Sequence, residues 1–446
     1  MSVLEINYKD KSEVEKFISS AKRDVSNYSK EYNGDRKIRK LQIGFRENIR
    51  QGKKHVEAER ITINFQKKIV QTAASFLFGE HPDITFTGTE NEKALKVLET
   101  FKANRINNKL YDFAEEVMSS TIAAFIFSKD EDQIKGRLYT HENGDFIPKY
   151  DPYGDLEAVV WQWSMEGYDN IWIFTDNYIH KYQGKDGELV YQEEESTTHG
   201  FGVIPVVFME QKEPEWFISK ELIDRIEMIM SKLAGSNNYF AFPILGFKNG
   251  SFKNEKGEEE TIVDVSEDGK SLAFGYAIKE GQLIEADAKF IQRDTGVDSI
   301  KLEMEYLKEM IFNISRTPNL SFDNVKGIGA IGEKAMKLML QDAINKAKAK
   351  QNQYQITIER VLNVISAGLG NKEKFDFDIN FNLSLPDDLK ETIETLMDAT
   401  GGQAIMSQET GIKLNPYTHD SDSEFEKIQK EEAQRSGYGL KKSEDE

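Results

Sequence analysis

The chain has 446 residues, and its 77 aspartate and glutamate residues outnumber its 58 lysine and arginine residues, which gives a formal net charge of −19. Such acidity argues against a sequence-specific DNA-binding protein, because that class neutralises phosphates with basic side chains. The absence of cysteine excludes disulfides, thiol nucleophiles and cysteine-ligated zinc, and it suits a reducing cytosol.

The length predicts two or more subdomains. No apolar run approaches the roughly 20 residues of a membrane span. The N-terminus lacks the apolar core of a signal peptide. We therefore expect a globular protein that does not enter a membrane.

The N-terminal region is predicted to be helical. Ser12 and Glu15 have the spacing of a capping box, apolar residues follow at helical spacing, and Gly34 is a candidate stop. A locally basic stretch then runs from Arg36 to Lys68. Two interpretations stay open for it: a solvated face, or a contact surface for an acidic partner or a neighbouring subunit.

Helices and one strand are predicted before residue 123. The first helix ends at Gly79, and Ile84 and Phe86 then alternate as a strand after Pro82. Two more helical patterns cover 91–103 and 106–121. These elements indicate a helical first third of the chain.

The hydrophobic period changes to two between residues 123 and 208, which predicts strands, and the segment over 158–192 is predicted to be a β-meander. Turn residues occur at 166–167, 175–177 and 185–187. We assign the tryptophans and tyrosines of this region to the core of the sheet rather than to a ligand platform.

Two amphipathic helices flank a second β-rich stretch. The first is predicted from Pro214 to Leu233, with proline in its first turn. The β-rich stretch covers 240–290, and the second helix covers 297–314. The side chains expected to face inward are Phe217, Leu222, Ile226 and Ile229 or Met230 in the first helix, and Ile300, Met304, Leu307, Ile311 and Ile314 in the second.

Gly327, Gly329 and Gly332 form a GxGxxG pattern before a long helix that is predicted from Ile331 to Gly368. A dinucleotide site needs a buried strand before the glycines and an acidic residue at the end of a second strand. Here a helix and a polar segment precede them and a helix follows, so we reject that site, and no P-loop pattern is present. The glycines make either a moving loop or an ordinary connection.

The C-terminal part is predicted to hold a strand within 375–384 and a helix over 387–399. Ser407 is a candidate N-cap of a short helix, and a charged helix covers 420–437. We expect the last residues to be disordered.

Four segments occur in a particular order along the chain: "RITINFQKKIVQTAASFLFGEHPDITF", "THGFGVIPVVFMEQKEPEW" leading into "ELIDRIEMIMSKLAGSNNYF", "KLEMEYLKEMIFNISRTPNLSFDNVKGIGAIGEKAMKLML" and "MSQETGIKLNPYTHDSDSEFEKIQKEE". This ordered set resembles the portal proteins of tailed bacteriophages, in particular those of long-tailed phages of Gram-positive bacteria. The resemblance covers nearly the whole chain. One departure lies at the end of the third helical segment, where the family often has glycine and this chain has Thr121-Ile122-Ala123.

The resemblance implies an α+β portal fold and a ring of subunits, usually twelve, around a channel for double-stranded DNA. The implied parts are a wing over 1–213, a first stem helix over 214–239, a clip over 240–296, a second stem helix over 297–315, a tunnel loop over 316–330, a long helix and returning wing strand over 331–385, and crown helices with a disordered tail over 386–446.

The resemblance also implies the partners and the location. Double-stranded DNA would pass without sequence specificity. The large terminase would dock during packaging, and head-tail connector or adaptor proteins afterwards, while major capsid and scaffold proteins would surround the ring. The protein would assemble in the host cytoplasm and occupy the capsid vertex of the virion. Catalytic residues, cofactors and metals are not implied, since ATP hydrolysis would belong to the terminase.

Three groups of residues would then contact DNA or partners. We expect Lys326 to face the DNA, because it is the basic residue of the glycine-bearing loop. The DNA-facing tunnel loop would contain Leu320, Ser321, Phe322, Asp323, Asn324, Val325, Lys326, Gly327, Ile328 and Gly329. The channel-lining residues of the stem would be Lys301, Glu305 and Lys308, and the docking surface of the clip would contain Lys248, Asn249, Lys253 and Lys256.

Two other classes of protein remain as alternatives. An enzyme is disfavoured, because the six histidines are scattered singly and none forms a metal-binding or catalytic pair. A structural or adaptor protein of a virion that is not a portal would share the acidic, cysteine-free composition. A ring with an open axial hole would separate a portal from both.

Overall fold

A computed structural model covers the chain. It describes residues 6–21, 25–40, 59–88, 91–130, 133–185, 187–240, 244–248, 251–253, 259–261, 263–265, 272–274, 276–279, 282–285, 287–291, 297–319, 333–382, 406–415, 418 and 421–440. The chain divides into two units, of which the first comprises 1–319 and 346–382 and the second 320–345 and 383–446. Helix and sheet are mixed, as the α+β prediction requires.

The N-terminal helices are α1 (Lys11–Ser20), α2 (Val25–Tyr32) and α3 (Lys37–Lys40). The predicted capping box of Ser12 and Glu15 is wrong. Asp10 caps α1 instead, since its carboxylate accepts a hydrogen bond from the Ser12 backbone N–H at 2.9 Å. The aspartate two residues earlier reaches the first turn, so the serine hydroxyl is not needed there.

The basic stretch is neither a purely solvated face nor a purely external contact surface. Arg36 is fully buried. Lys37 pairs with Asp224 at 3.7 Å, and Lys68 lies 5.0 Å from the ring centre of Phe312. Several described cations of this stretch therefore interact with their own chain, while residues 41–58 lie outside the described part.

The helical elements that follow agree with the prediction. They are α4 (Phe65–Phe78), α5 (Glu92–Ala103) and α6 (Ile106–Ser120), and the strand β1 (Asp83–Phe86) lies between the first two. Gly79 is the C-cap of α4, and its N–H donates to the carbonyl of Ser75 at 2.9 Å. Gly79 therefore ends this helix, as predicted.

The next region forms two antiparallel sheets, and the predicted meander is confirmed within the described residues. One sheet has the order β10-β2-β3, and the other has the order β4-β5-β6-β7-β8 with β9 paired to β7. At the β5–β6 turn, Glu166 and Gly167 both have positive φ, at 53° and 81°, which is what a tight hairpin turn requires. The strands are β2 (Ile122–Asp130), β3 (Gln133–Tyr139), β4 (Asp145–Tyr150), β5 (Leu156–Met165), β6 (Tyr168–Phe174), β7 (Tyr178–Lys185), β8 (Glu188–Tyr191), β9 (Thr197–Thr198) and β10 (Val206–Glu210).

A shared apolar core joins these two sheets. It includes Phe146, Trp161 and Phe208. Trp161 is 7% exposed and stacks on Phe146, with ring centres 6.1 Å apart. Trp163 and Trp172 are partly buried against the same cluster. The assignment of these tryptophans to the sheet core is confirmed.

The first amphipathic helix begins later than predicted. The structure has a short 3-10 helix at Phe217–Ser219 and then α7 (Lys220–Phe240), so Pro214 is not in the first turn of a continuous α-helix. The preceding residues have other contacts, because Trp216 is fully buried and Glu215 pairs with lysines far along the chain. Ile226 and Ile229 are buried as expected.

The second stretch is rich in β-strands, as the sequence predicts, and its described strands form short antiparallel pairs. β11 pairs with β18, and the three pairs between them connect strands that are neighbours in sequence. The strands are β11 (Ile244–Lys248), β12 (Ser251–Lys253), β13 (Glu259–Thr261), β14 (Val263–Val265), β15 (Leu272–Phe274), β16 (Tyr276–Lys279), β17 (Gln282–Glu285) and β18 (Asp287–Ile291). The helix α8 (Val297–Ser315) follows.

The long helix is also confirmed. It is α9 (Glu333–Gly368), with 36 residues and a length of about 50 Å. Tyr354 and Val361 lie on its buried side. β19 (Phe377–Asn380) then pairs antiparallel with β1 within the first unit. Among the described helices, none is long and apolar enough to span a bilayer.

The second unit contains α10 (Gln408–Lys413) and α11 (Ser421–Leu440). Ser407 is the N-cap of α10, as predicted, and its hydroxyl accepts a hydrogen bond from the Thr410 N–H at 3.2 Å. The helix predicted over 387–399 and the disorder predicted for the last residues lie outside the described part of the chain.

Candidate functional site

The helices α7 and α8 pack against each other in the first unit. The guanidinium of Arg225 donates to the carboxylate of Glu303 from Nε at 2.9 Å and from Nη2 at 2.6 Å. Both side chains are about half exposed, so the pair stabilises the fold by less than about 1 kcal/mol. Both nitrogens donate to the same oxygen, Oε1, so the pair is a single-oxygen contact between α7 and α8 rather than a bidentate one.

Polar side chains on the buried side of α7 hold the segment that leads into α4. Glu227 accepts a hydrogen bond from the Ile63 N–H at 2.8 Å, and Ser231 accepts one from the Ile61 N–H at 2.9 Å. Burial raises the pKa of Glu227, although the Ile63 N–H and the charge of Arg36 partly oppose it. These bonds fix α7 to the rest of the first unit.

The C-terminus of α8 is closed by a compact turn. Arg316 has a φ of 53°, and the Thr317 N–H donates to the carbonyl of Phe312 at 2.9 Å. The Ser315 hydroxyl donates to that of Thr317 at 2.9 Å, and both residues are buried. This left-handed closure is typical of helix ends, and it sets where the predicted tunnel loop begins.

A partly buried ionic cluster braces that turn. Glu215 pairs with Lys346 at 2.8 Å and also with Lys350. Lys346 donates a second hydrogen bond to the carbonyl of Ser315 at 3.0 Å. Burial alone would raise the pKa of Glu215, but the charges and hydrogen bonds of the two lysines hold it below its ordinary value. The cluster therefore joins α8, α9 and the segment before α7.

The three residues predicted to line the channel share one exposed face of α8. Lys301, Glu305 and Lys308 follow at spacings of four and three, which places them on one side of a helix. Lys301 and Glu305 lie 3.9 Å apart and are 74% and 62% exposed. This face is charged, mixed in sign and hydrated, while its position in a channel stays a prediction.

A second exposed face of α8 is apolar, and it is absent from the predicted sites. Leu302, Tyr306, Met310 and Ile314 are 52%, 58%, 45% and 40% exposed. The prediction that Ile314 faces inward is wrong, because Phe312 occupies the buried position at this end of the helix. The spacing of four could have revealed the stripe, since four apolar residues recur on successive turns beside the predicted core face.

The other predicted contact residues remain untested. Leu320 to Gly329 lie outside the described residues, as do Asn249 and Lys256. Lys248 ends β11, opposite Asp287 in the ladder, and Lys253 ends β12, opposite Glu259. The tunnel-loop and clip assignments therefore stay predictions.

An open cleft of about 960 Å³ lies next to Trp161 and Trp163 of β5. Its polar side chains bond to one another: His141 lies 3.0 Å from Asp145, and the Ser164 hydroxyl donates to Asp169 at 2.5 Å. No cluster of histidine, aspartate or glutamate that could hold a metal occurs among the described residues. The hydroxyls of the lining residues Ser19 and Ser164 donate to the Glu15 carbonyl and the Asp169 carboxylate, and His141 bonds to Asp145, so the described contacts pair neither serine with the histidine.

Comparison with known proteins supplies the family. The model of the family described as "Phage portal protein, SPP1 Gp6-like" matches residues 18–438. The portal protein of Bacillus phage SPP1 is 21% identical over 400 residues, which cover 82% of this chain and 75% of the relative.

Two solved structures are similar with TM-scores below 0.5. "Neck of empty GTA particle computed with C6 symmetry" has a TM-score of 0.44 and 10% identity, and covers 88% of this chain and 93% of that chain. "Virion of native gene transfer agent (GTA) particle" has a TM-score of 0.45 with the same identity and coverage.

The family match confirms the resemblance that the ordered sequence segments indicated. It favours a portal over the two alternatives, a virion adaptor of another kind and an enzyme, because both the matched family and the curated relative are described as portal proteins. Since the family model covers most of the chain, the protein belongs to the phage portal protein family, SPP1 Gp6-like, and has the function of a portal or connector.

Proposed function

We propose that this chain forms a dodecameric ring at a capsid vertex and that the ring surrounds the channel for packaging and ejection of double-stranded DNA. The observation that carries the proposal is the family match over residues 18–438. Membership of this family fits a ring oligomer in a virion. The order of α7, α8, the connecting residues 316–330 and α9 supports the assignment of stem, tunnel loop and long wing helix.

The charge of the chain suits a channel in which DNA must slide. Deep electrostatic wells on the wall would trap the phosphates, and a net charge of −19 lowers such attachment. Lys301, Glu305 and Lys308 form a face of mixed sign. The two lysines reduce the repulsion between the acidic protein and the DNA phosphates, while Glu305 interrupts the positive charge. This face would line the channel.

The tunnel loop over 316–330 would project into the channel and contact the passing duplex. Its beginning is held by the buried Ser315 and Thr317 and by Lys346. Gly327 and Gly329 supply backbone freedom beyond this fixed base. Lys326 would face the DNA, while Leu320 or Phe322 would pack between neighbouring subunits.

A photoactivatable cross-linker at position 326 tests the tunnel loop. DNA-filled particles should give protein–DNA adducts from position 326. The same probe at Lys348, an exposed position on α9, serves as the control and should give few adducts. If position 326 never captures packaged DNA while other positions in 316–330 do, the role of Lys326 is wrong.

The clip would dock the terminase during packaging and the connector afterwards, through Lys248, Asn249, Lys253 and Lys256. Major capsid and scaffold proteins would surround the wing and crown. The substitutions Lys248→Glu and Lys253→Glu together should weaken the binding of the large terminase and leave ring formation intact. If the variant forms intact rings that bind the terminase as well as the wild type does, Lys248 and Lys253 do not belong to the docking surface.

A further inference from the structure

We propose that the open cleft beside Trp161 and Trp163 docks a basic peptide segment of another protein, one that carries lysine or arginine together with apolar side chains. The residues that line the cleft come from α1, from the strands β3 to β6 and β8, and from the turn between β3 and β4. All of them belong to the first unit of one chain. The inference therefore does not depend on the proposed ring.

The size of the cleft suits a peptide. Its volume of about 960 Å³ lies at the upper end of the range of about 300 to 1,000 Å³ that is usual for ligand sites in proteins. Such a space accommodates several side chains at once, which is more than a single small ion needs.

The charge of the cleft selects a cationic partner. The described residues that line it include four carboxylates and no lysine or arginine. The carboxylates are Glu15, Glu142, Asp145 and Asp169. A surface of this sign repels the phosphates of nucleic acids and anionic lipids, and it attracts lysine and arginine side chains.

The chain's own contacts neutralise this charge incompletely. Asp169 accepts a hydrogen bond from the uncharged hydroxyl of Ser164, and Asp145 lies beside His141. Glu15 is 3.6 Å from Lys11 on the same helix, in a pair whose side chains are both more than 40% exposed. Even when His141 and Lys11 both count as positive, the four carboxylates leave two negative charges for a partner.

Tryptophan supplies a second feature that fits a cation. Trp161 and Trp163 stack with ring centres 3.8 Å apart, and Trp163 is only partly buried. The face of an indole ring attracts ammonium and guanidinium groups. The neighbouring strand already shows such a contact, because Nζ of Lys181 lies 4.3 Å from the ring centre of Trp172, which packs edge-on against Trp163. A partner's cation would pack on Trp163 in the same way.

The apolar wall of the cleft favours a peptide over a free polyamine. Ile18, Met165 and Leu189 line the cleft, and Met165 is 61% exposed. These side chains offer contacts to the apolar residues of a peptide. A polyamine carries the same kind of charge but has no branched apolar groups to place there.

Fluorescence anisotropy of a labelled basic peptide tests the site on the full chain. The probe is the heptapeptide Gly-Arg-Leu-Arg-Leu-Arg-Gly, and we expect saturable binding that weakens as salt is added. The same peptide with citrulline in place of arginine is the neutral control and should bind at least about tenfold more weakly, since the charge attraction is lost. Equal binding of the two peptides would overturn the inference.

Competition separates a peptide partner from a polyamine. Spermidine should displace the labelled peptide at least about tenfold less well than the unlabelled peptide does, because it makes no use of the apolar wall. Equal displacement by spermidine would overturn the assignment to a peptide.

Charge reversal locates the binding on this surface. Glu142→Lys combined with Asp169→Lys should weaken peptide binding at least about tenfold. Glu194→Lys combined with Glu195→Lys is the matched control, because both glutamates are exposed, lie outside the cleft lining and change the net charge equally. All four side chains are exposed, so circular dichroism should be unchanged in both variants. Equal weakening by the two variants would mean that the peptide binds the acidic chain at large, and it would overturn the site.

A photo-cross-linking amino acid at Met165 gives an independent readout. It should form adducts with the labelled peptide, because Met165 lines the cleft. The same probe at Tyr153, which is 92% exposed and does not line the cleft, is the control and should give few adducts. Equal yields from positions 165 and 153 would contradict docking in the cleft.

Discussion

The ammonium group of Lys346 on α9 donates a hydrogen bond to the carbonyl oxygen of Ser315, the last residue of α8, at 3.0 Å. The same lysine pairs with Glu215 at 2.8 Å. A positive charge at a helix C-terminus also stabilises the helix dipole. One side chain therefore connects the end of α8 to α9, the helices that precede and follow the proposed tunnel loop.

Removal of this side chain should destabilise the first unit. Lys346→Met leaves the Ser315 carbonyl without its donor and Glu215 with Lys350 as its remaining partner. We expect the free energy of unfolding to fall by about 2 kcal/mol, since hydrogen bonds to charged groups are worth about that much. Urea denaturation followed by circular dichroism measures the change.

Lys348→Met is the matched control, because Lys348 lies on the same helix and is exposed. Its effect should stay within about 0.5 kcal/mol. The lowered pKa of Glu215 makes its stabilising contribution present above the ordinary carboxyl pKa and lost as the pH falls through the lowered value. The difference in free energy of unfolding between Lys346→Met and Lys348→Met should therefore be smaller in acid than at neutral pH. Equal losses of free energy by the two variants at neutral pH would contradict the proposed role of Lys346.

The departure at Thr121 has a structural consequence. Thr121 ends α6 with a φ of 81°, a left-handed conformation that is strained for a β-branched residue. Thr121→Gly should raise the free energy of unfolding by about 1 kcal/mol through relief of this strain. Thermal or urea unfolding of the variant measures the gain.

Arg105→Gly provides the comparison for Thr121. Arg105 is exposed and has a φ of 53°, which lies within the ordinary left-handed region. Arg105→Gly should therefore raise the free energy of unfolding by less than Thr121→Gly does. A Thr121→Gly variant that is less stable than the wild type would show that the lost side-chain packing outweighs the strain.

The sequence predicted elements whose signals are local. Gly79 and Ser407 act at their own helix ends, and the turn at 166–167 follows from its own two residues. The start of α7 was missed because Glu215 and Trp216 are fixed by distant contacts, including one with Lys346. No local pattern reports a partner more than a hundred residues away.

The candidate site was predictable to a similar degree. The two helices on either side of the second β-rich stretch, α7 and α8, could be found by pattern, and so could the charged face at Lys301 and Glu305. The burial of Arg36 could not, because a basic residue in a basic stretch indicates a solvated position. The spacing of four that places Tyr306 in an apolar stripe is visible in the sequence. Only the exposure of these side chains in the structure distinguishes the stripe from a core face.

Two glycines with positive φ should respond differently to substitution. A Cβ at Gly144 would lie 2.4 Å from the carbonyl oxygen of Gln162, whereas a Cβ at Gly154 would meet nothing within 4 Å. Gly144→Ala should lower the free energy of unfolding by about 3 kcal/mol or more, because backbone strain and overpacking add together. Gly154→Ala should lower it by about 1 kcal/mol, because only backbone strain applies there. If urea titrations show that Gly144→Ala and Gly154→Ala lose the same free energy of unfolding, the close packing at the start of β4 is contradicted.

The histidines His141 and His199 should titrate on opposite sides of the ordinary pKa. The hydrogen bond that His141 donates to the Asp145 carboxylate raises the pKa of His141, helped by the charges of Asp145, Glu116 and Glu142 and opposed by burial. Burial lowers the pKa of His199. NMR titration of histidine-labelled protein, assigned with single His→Gln variants, measures both values, and a reversed order would contradict the described environments.

The same shifts predict opposite effects on stability. The stabilisation from His141 is fully present below the ordinary pKa and lost as the pH rises through the raised value. The stabilisation from His199 is present above the ordinary pKa and lost as the pH falls through the lowered value. His141→Gln should therefore destabilise more at pH values of about 5.5 than about 8.5, and His199→Gln should show the reverse.

Electron microscopy of the purified protein, with native mass spectrometry of the same sample, tests the central claim most directly. The account predicts closed rings, twelve subunits in mass, with an axial hole wide enough for a DNA duplex. Solid particles without a hole, under conditions where the chain is folded and assembled, would contradict it.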